Sequence, residues 1–340
     1  MPKKVRIKFV SKNPIEHAHF TELPNRHPEL EFVLDPLTRD YDWFVVYDDL
    51  PRSRNERFPL NSEVLACAPE NTILLTYEPS TVKYYGDDYV NQFAHVLTSQ
   101  EAEVLSHAGR HDAPPVGKWY YGEVADALKH VSPPEKRGQV CIFLSAKRMG
   151  HTLHRKRFDF QKTMTRHLPE LDVFGRDVRY VEKKADCLDH YRYTIAVENH
   201  IGPHHWTEKL SDSFLGYCLP FYSGCPNAAV YFPERSFIPL DLENPQAAVD
   251  TIREAIAGGE YEKRLPAIIE ARRRVVEEYN LANIVGDVIA NADGRDHSGH
   301  PAGPPHARRI RSRRLIICRR PAAFLRYTIG KYRAQRRKVG

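Results

Sequence analysis

Two stretches have no polar face to give to water. Trp43-Phe-Val-Val-Tyr47 and Thr72-Ile-Leu-Leu-Thr-Tyr77 are apolar on both sides of a strand. A strand buried on both faces belongs to a parallel sheet covered by helices, so these runs constrain the fold more than any other feature. Val5–Val10 and Glu31–Leu34 read as further strands of the same block, separated by Pro-rich connections. A looser region, His107–Gly122, leads to a short helix at Val124–Val131 and a linker at Ser132-Pro-Pro-Glu-Lys-Arg-Gly138. A second alternating series follows. Val140–Leu144, Leu171–Phe174, Tyr193–Val197 and Leu219–Tyr222 read as strands. His154–Leu168, Thr207–Leu215, Pro245–Ile256 and Glu262–Ala290 read as helices. Strand–helix alternation in two blocks predicts two doubly wound α/β domains facing each other, 1–135 and 136–292. From Asp293 the composition shifts to Gly, His, Pro and Arg, so 293–340 is expected to be a tail outside the fold.

Charge separates that tail from the body. Arg308–Gly340 carries thirteen Lys and Arg and no Asp or Glu. Removing those charges from the net +6 leaves −7 for residues 1–307. An acidic body argues against nucleic-acid binding, which needs a basic face on the fold itself. No apolar run reaches the ~20 residues of a membrane span; Leu315–Gly330 is cut by Arg319, Arg320, Pro321 and Arg326. The first ten residues alternate charge with apolar side chains and lack the apolar core of a signal peptide. The six cysteines are widely spaced with no CxxC pair, which predicts reduced thiols and a cytoplasmic setting.

The chemistry concentrates in Tyr193-Thr-Ile-Ala-Val-Glu198-Asn199, the loop after it, and Thr207-Glu208-Lys209-Leu210. A buried strand ends in a carboxylate and an amide, a Gly-Pro loop follows, and a helix opens with an N-cap hydroxyl at Thr207. Ligands of open α/β sheets bind beyond the carboxyl ends of the strands. A helix N-terminus there favours phosphate. Lys209 adds a cation and Glu208 can hold sugar hydroxyls, so the pattern suits a nucleotide diphosphate. His200, His204 and His205 offer a zinc reading. Their HxxxH spacing lies on a Gly-Pro loop with no Cys or carboxylate pair in register, which argues against it. Asp48-Asp49 stands far from this stretch, which weighs against a metal-binding Asp pair.

These residues resemble the donor domain of the α-1,3/1,4-fucosyltransferases of glycosyltransferase family 10. The elements are Glu198-Asn199, Thr207-Glu208-Lys209-Leu210, Gly216, Leu219-Pro220, Gly224 and Pro233-Glu-Arg-Ser-Phe237-Ile238, in the family's order and spacing. Upstream, Leu171-Asp-Val-Phe-Gly175 resembles the family's next strand, and the preceding helix places the family Arg at Arg157, with Arg155 the rival. In the first domain, Glu78-Pro79-Ser80 resembles the family's Glu-containing segment, and Phe93–Thr98 its following strand.

The resemblance implies a GT-B fold of two Rossmann-like domains, with 1–135 binding acceptor and 136–292 binding the GDP-sugar. It implies an inverting transfer of fucose from GDP-fucose to a glycan hydroxyl. Inversion in one displacement needs one base, and the resemblance gives that role to Glu78. Donor binding falls to Arg157, Glu198, Asn199, His205, Thr207, Glu208 and Lys209. Arg157 and Lys209 would meet the charge of the departing GDP, so no metal and no other cofactor is expected. The sequence departs from the family at His205, where an aromatic, often Tyr, is usual. A GT-B transferase using another sugar nucleotide, or a glycosyltransferase-like binding protein without catalysis, are the alternatives. The tail mixes basic residues with Ile310, Leu315, Ile316, Ile317, Phe324, Leu325, Tyr327 and Ile329. Such a segment can lie on an anionic membrane surface. The expectation is a cytoplasmic enzyme of lipopolysaccharide or other glycan biosynthesis, held at the inner membrane near lipid-linked acceptors.

Overall fold

A computed structural model describes residues 4–53, 55–144, 154–175, 178–293, 308–319 and 321–336. The chain divides into two compact units, Met1–Pro115 with Leu281–Gly340, and Val116–Asn280.

Along the first stretch run β1 (Val5–Ser11), α1 (Ala18–Thr21), β2 (Leu30–Val33), β3 (Trp43–Tyr47), β4 (Ser62–Val64), β5 (Thr72–Leu75), α2 (Asp87–Val90), β6 (His95–Thr98) and β7 (Arg110–Asp112). Six of these strands form one parallel sheet in the order β2-β1-β3-β5-β6-β7. Every residue of β3 and β5 is buried, as their two-sided apolarity predicts. The order reverses between β1 and β3, so the crevice at their carboxyl ends, beside β5, is where a ligand of this sheet is expected.

The second unit contains α3 (Val124–Leu128), β8 (Gly138–Phe143), α4 (His154–His167), β9 (Leu171–Phe174), α5 (Ala185–Leu188), β10 (Tyr191–Val197), α6 (Glu208–Leu215), β11 (Leu219–Ser223), β12 (Ile238–Pro239), α7 (Pro245–Ala257) and α8 (Glu260–Glu277). Its sheet is also parallel, in the order β12-β11-β10-β8-β9. Here the order reverses between β8 and β10, and Glu198 stands at the end of β10.

The expected division at residue 135 differs from the observed one. Residues 116–137 pack within the second unit: the Tyr121 hydroxyl donates to Asp189 at 2.6 Å and Arg272 donates to the carbonyl of His130 at 2.9 Å. The single helix expected over Glu262–Ala290 is broken at Tyr279-Asn280. There the Tyr279 N–H turns back to the Arg274 carbonyl at 2.8 Å, and the buried Asn280 amide donates to Val276 at 2.9 Å. The next helix, α9 (Leu281–Asp293), belongs to the first unit. Asn283 accepts from the Arg26 N–H at 2.8 Å, and Asp287 holds Arg26 and His27.

The expected tail is corrected too, because its described part is folded. β13 (Arg309–Arg311) pairs antiparallel with β4, and α10 (Arg313–Arg319) and α11 (Pro321–Arg336) follow. Ile310 is fully buried, and Ile316 and Ala323 join the cluster of Phe44, Leu74 and Val96. Apolar burial of that kind outweighs the ordering cost that a purely basic segment could not meet. Residues 294–307 and 337–340 lie outside the described residues.

Candidate functional site

The site in the second unit is built around Glu198, which has no exposed surface. Its N–H donates to the Ser223 carbonyl at 2.8 Å, continuing the β10–β11 register by one residue. Gly224 makes room for it, since a Cβ there would stand 2.4 Å from Glu198 Cγ. The carboxylate accepts from the Thr207 N–H at 2.8 Å and from the Thr207 hydroxyl at 2.7 Å. Lys209 Nζ lies 3.3 Å from Glu198 Oε2, 2.9 Å from Glu208 Oε1 and 3.1 Å from Thr207 Oγ1. Thr207 caps α6 as expected, accepting from the Lys209 N–H. Four side chains thus form one node at the start of α6, anchored to the strand end by Glu198.

Charge in the node is strongly coupled. Burial works against the Lys209 ammonium, yet the Glu198 and Glu208 carboxylates outweigh it and hold the lysine above its usual range. Burial would raise Glu208, but the Lys209 and Lys184 cations outweigh it and pull its carboxyl down to about 2. Arg157, on α4, is 5% exposed. Burial lowers its pKa, and the charges of Glu198 and Glu208 oppose that fall. The charges of Glu198 and Glu208 thus act on Arg157 and Lys209 alike. The Arg155 side chain lies outside the described residues.

His205 is buried with its ring 5.0 Å from that of His200, edge to face. His204 faces elsewhere: its Nδ1 lies 2.6 Å from the Tyr231 hydroxyl, and its N–H donates to Asn227 at 2.8 Å. The three histidines do not converge, and no group of three or more possible metal ligands stands together among the described residues. Trp206 packs its ring 4.9 Å from Phe232 and 5.6 Å from Tyr279, which fixes the loop entering α6. Asn199 is half-buried, immediately after Glu198. Glu78 belongs to the other unit, where it follows β5 and is half-buried.

Two residues of this neighbourhood escape a sequence reading. Asp212 lies one turn after Glu208 on α6 and is 1% exposed. Lys184 reaches it at 2.7 Å. The i,i+4 spacing from Glu208 signals Asp212, whereas nothing local signals Lys184. Burial pushes the Asp212 carboxyl up to about 6, with Lys184 opposing and Glu208 adding to the rise. A carboxyl raised in the folded state contributes stability below its ordinary pKa, and that contribution is lost as pH rises through about 6. Replacing Asp212 by Asn is expected to remove this slope. The thermal midpoint of the variant should climb relative to the parent between pH 4 and 6.5; a constant difference across that range contradicts the assignment.

Residues 133–256 match the family model "Glycosyltransferase family 10 (fucosyltransferase) C-term". The matched segment carries the Glu198–Lys209 node. An alpha-(1,3)-fucosyltransferase, FucT, of Helicobacter pylori is 32% identical over 74 residues. The matched stretch spans 22% of this chain and 16% of the relative's length. A crystal structure of an alpha1,3-fucosyltransferase with GDP is similar at a TM-score of 0.49 and 15% identity, over 85% of this chain and 89% of that one. Another, with GDP-fucose, has a TM-score of 0.49 and 13% identity, over 87% and 92% of the two chains.

Proposed function

We propose that this chain is an inverting fucosyltransferase, moving fucose from GDP-fucose to a hydroxyl of a glycan in an α-1,3 linkage. The observation that carries this reading is the Glu198–Thr207–Glu208–Lys209 node inside a fucosyltransferase-family segment. In the proposed reaction Glu78 takes the proton of the acceptor hydroxyl. That oxygen forms a bond to the anomeric carbon as the bond to GDP breaks on the opposite face. Lys209 and Arg157 meet the charge that grows on the diphosphate, acting in a buried setting where such contacts count most. Glu198 works through Thr207 and Lys209, setting the helix start and the ammonium that face the phosphates. Glu208, kept ionised, accepts from sugar hydroxyls, and Asn199 and His205 take part in holding the donor. Side-chain cations supply the charge here, so activity should persist in a chelator.

GDP and UDP titrated against the protein test the donor class. The reading expects GDP to bind at least tenfold more tightly, with Lys209→Ala weakening it; equal affinities would contradict it. His205, standing where relatives usually carry an aromatic and packed on His200, is the one observation favouring another GDP-sugar.

The same reading places the enzyme in the cytoplasm, at the inner face of a membrane that holds lipid-linked acceptors. Its support is α11. Ala323 and Ala334 are buried, while Phe324, Leu325, Ile329 and Tyr332 are exposed beside Lys331 and Arg333. An apolar face edged by cations suits the interface of an anionic bilayer, each basic residue contributing about 1 kcal/mol. No helix of the described residues is long and apolar enough to cross a membrane. Changing Phe324, Leu325, Ile329 and Tyr332 together to Ser, all outside the core, should cut co-flotation with phosphatidylglycerol vesicles at least tenfold. Undiminished flotation would remove the membrane from the account.

A further inference from the structure

A second cluster of buried polar groups lies in the first unit, directly behind Glu78. Asp48 follows β3 with φ of 69°, a left-handed conformation that non-glycine residues seldom adopt and that persists only where surroundings enforce it. Its Oδ1 accepts from Lys83 Nζ at 2.6 Å and from the Tyr85 hydroxyl at 2.5 Å. Lys83 Nζ also sits 4.4 Å from the centre of the Tyr85 ring. While its O–H donates to Asp48, the Tyr85 oxygen accepts from the N–H groups of Tyr77 at 3.0 Å and Glu78 at 3.4 Å. From the other side Gln100, 1% exposed, donates its amide to the carbonyls of Glu78 and Lys83, each at 2.8 Å. The backbone of Glu78 is therefore held at both its N–H and its C=O by buried side chains.

The direction of this relay is fixed. Burial and the adjacent Asp48 carboxylate push the Tyr85 hydroxyl well above its ordinary pKa, so it stays a donor to Asp48. Burial would raise Asp48, but Lys83 and the two hydrogen bonds outweigh it and keep the carboxylate ionised. A buried ion pair is weak evidence for stability, because apolar packing of the same volume does as well. What it supplies here is a single geometry for the loop that carries Glu78.

We propose that Asp48, Lys83, Tyr85 and Gln100 are positioning residues for Glu78, fixing its backbone at the end of β5 so that its carboxylate meets the acceptor hydroxyl in one orientation. This rests on the reading of Glu78 as the base. Proton transfer depends on sub-ångström placement of the base, so loosening this loop costs turnover rather than donor binding.

The test compares Tyr85→Phe with Tyr89→Phe in the full chain. Tyr89 is equally buried and its hydroxyl lies 3.5 Å from the Asp48 carbonyl. It serves as the control for loss of a buried hydroxyl in the same core. Turnover is counted per GDP-binding site, alongside KM for GDP-fucose and the thermal midpoint. Tyr85→Phe should lower kcat at least tenfold with KM for the donor within twofold, while Tyr89→Phe keeps kcat within twofold at a similar loss of midpoint. Equal kcat losses in the two variants, or a kcat within twofold for Tyr85→Phe, would overturn the proposal. Should Tyr85→Phe fail to fold, Gln100→Met, which removes the donors to the Glu78 and Lys83 carbonyls, must show the same split. Glu78→Gln measured in parallel separates the two ideas. If it retains turnover, the base assignment fails. If it is inactive while Tyr85→Phe is fully active, only the positioning proposal fails.

Discussion

Glu78→Gln is expected to lower fucosyl transfer about a thousandfold while GDP affinity stays within about threefold, the range for losing a general base without losing a binding contact. The substitution keeps the shape of the side chain and removes its ability to take a proton. Glu78 belongs to the unit Met1–Pro115 with Leu281–Gly340, whereas Glu198, Thr207, Glu208 and Lys209 belong to Val116–Asn280. In the proposed reaction donor binding and proton transfer draw on different parts of the chain, and the variant should separate them. Initial rates with a glycan acceptor and a GDP titration check both halves. Normal turnover would remove Glu78 as the base.

Lys209→Ala carries the second large effect, and it acts on two properties at once. The ammonium touches Glu198, Glu208 and Thr207 within 3.3 Å. In the proposed reaction removing it takes the cation from the leaving diphosphate, and kcat should fall by about 10²–10³. It also strips the wholly buried Glu198 of a counter-ion, and breaking a buried pair costs about 3 kcal/mol. The lost coupling should narrow the gap between parent and variant in acid. Glu208, held at about 2 against an ordinary 4.5, lends stability above pH 4.5 that is lost as pH falls through about 2. Without Lys209 the Glu208 carboxyl moves back up, so the variant should lose less stability than the parent as pH falls below 4.5. Urea midpoints from pH 3 to 7 and single-turnover rates measure these effects; unchanged midpoints would show that the node is not a coupled unit.

The legibility of this protein followed burial. Trp43–Tyr47 and Thr72–Leu75 are strands because both faces are apolar, and that pattern is local. The Glu198–Lys209 stretch was equally legible, since a strand end, a loop and an N-cap follow in sequence. Long-range pairing was not legible. β13 exists because Ile310 lies opposite Glu63 in β4, a partner that nothing in Arg309-Ile310-Arg311 names. β7, Arg110-His-Asp112, has no apolar residue and is a strand only because β6 pairs with it. Charge alone makes the basic segment an appendage, yet Ile310, Ile316 and Ala323 decide its place in the core. Asp48, Lys83 and Tyr85 were equally hidden. Their ion pair spans 35 residues and depends on burial that the third dimension supplies.

The central claim is the donor, and one assay addresses it directly. The full chain is incubated with a panel of glycan acceptors, in a chelator, against GDP-fucose, GDP-mannose, UDP-galactose and UDP-N-acetylglucosamine in turn. The account predicts α-linked fucosyl product from GDP-fucose, made without metal, and none from the other three donors. Transfer from a different sugar nucleotide, with GDP-fucose left intact, would contradict it.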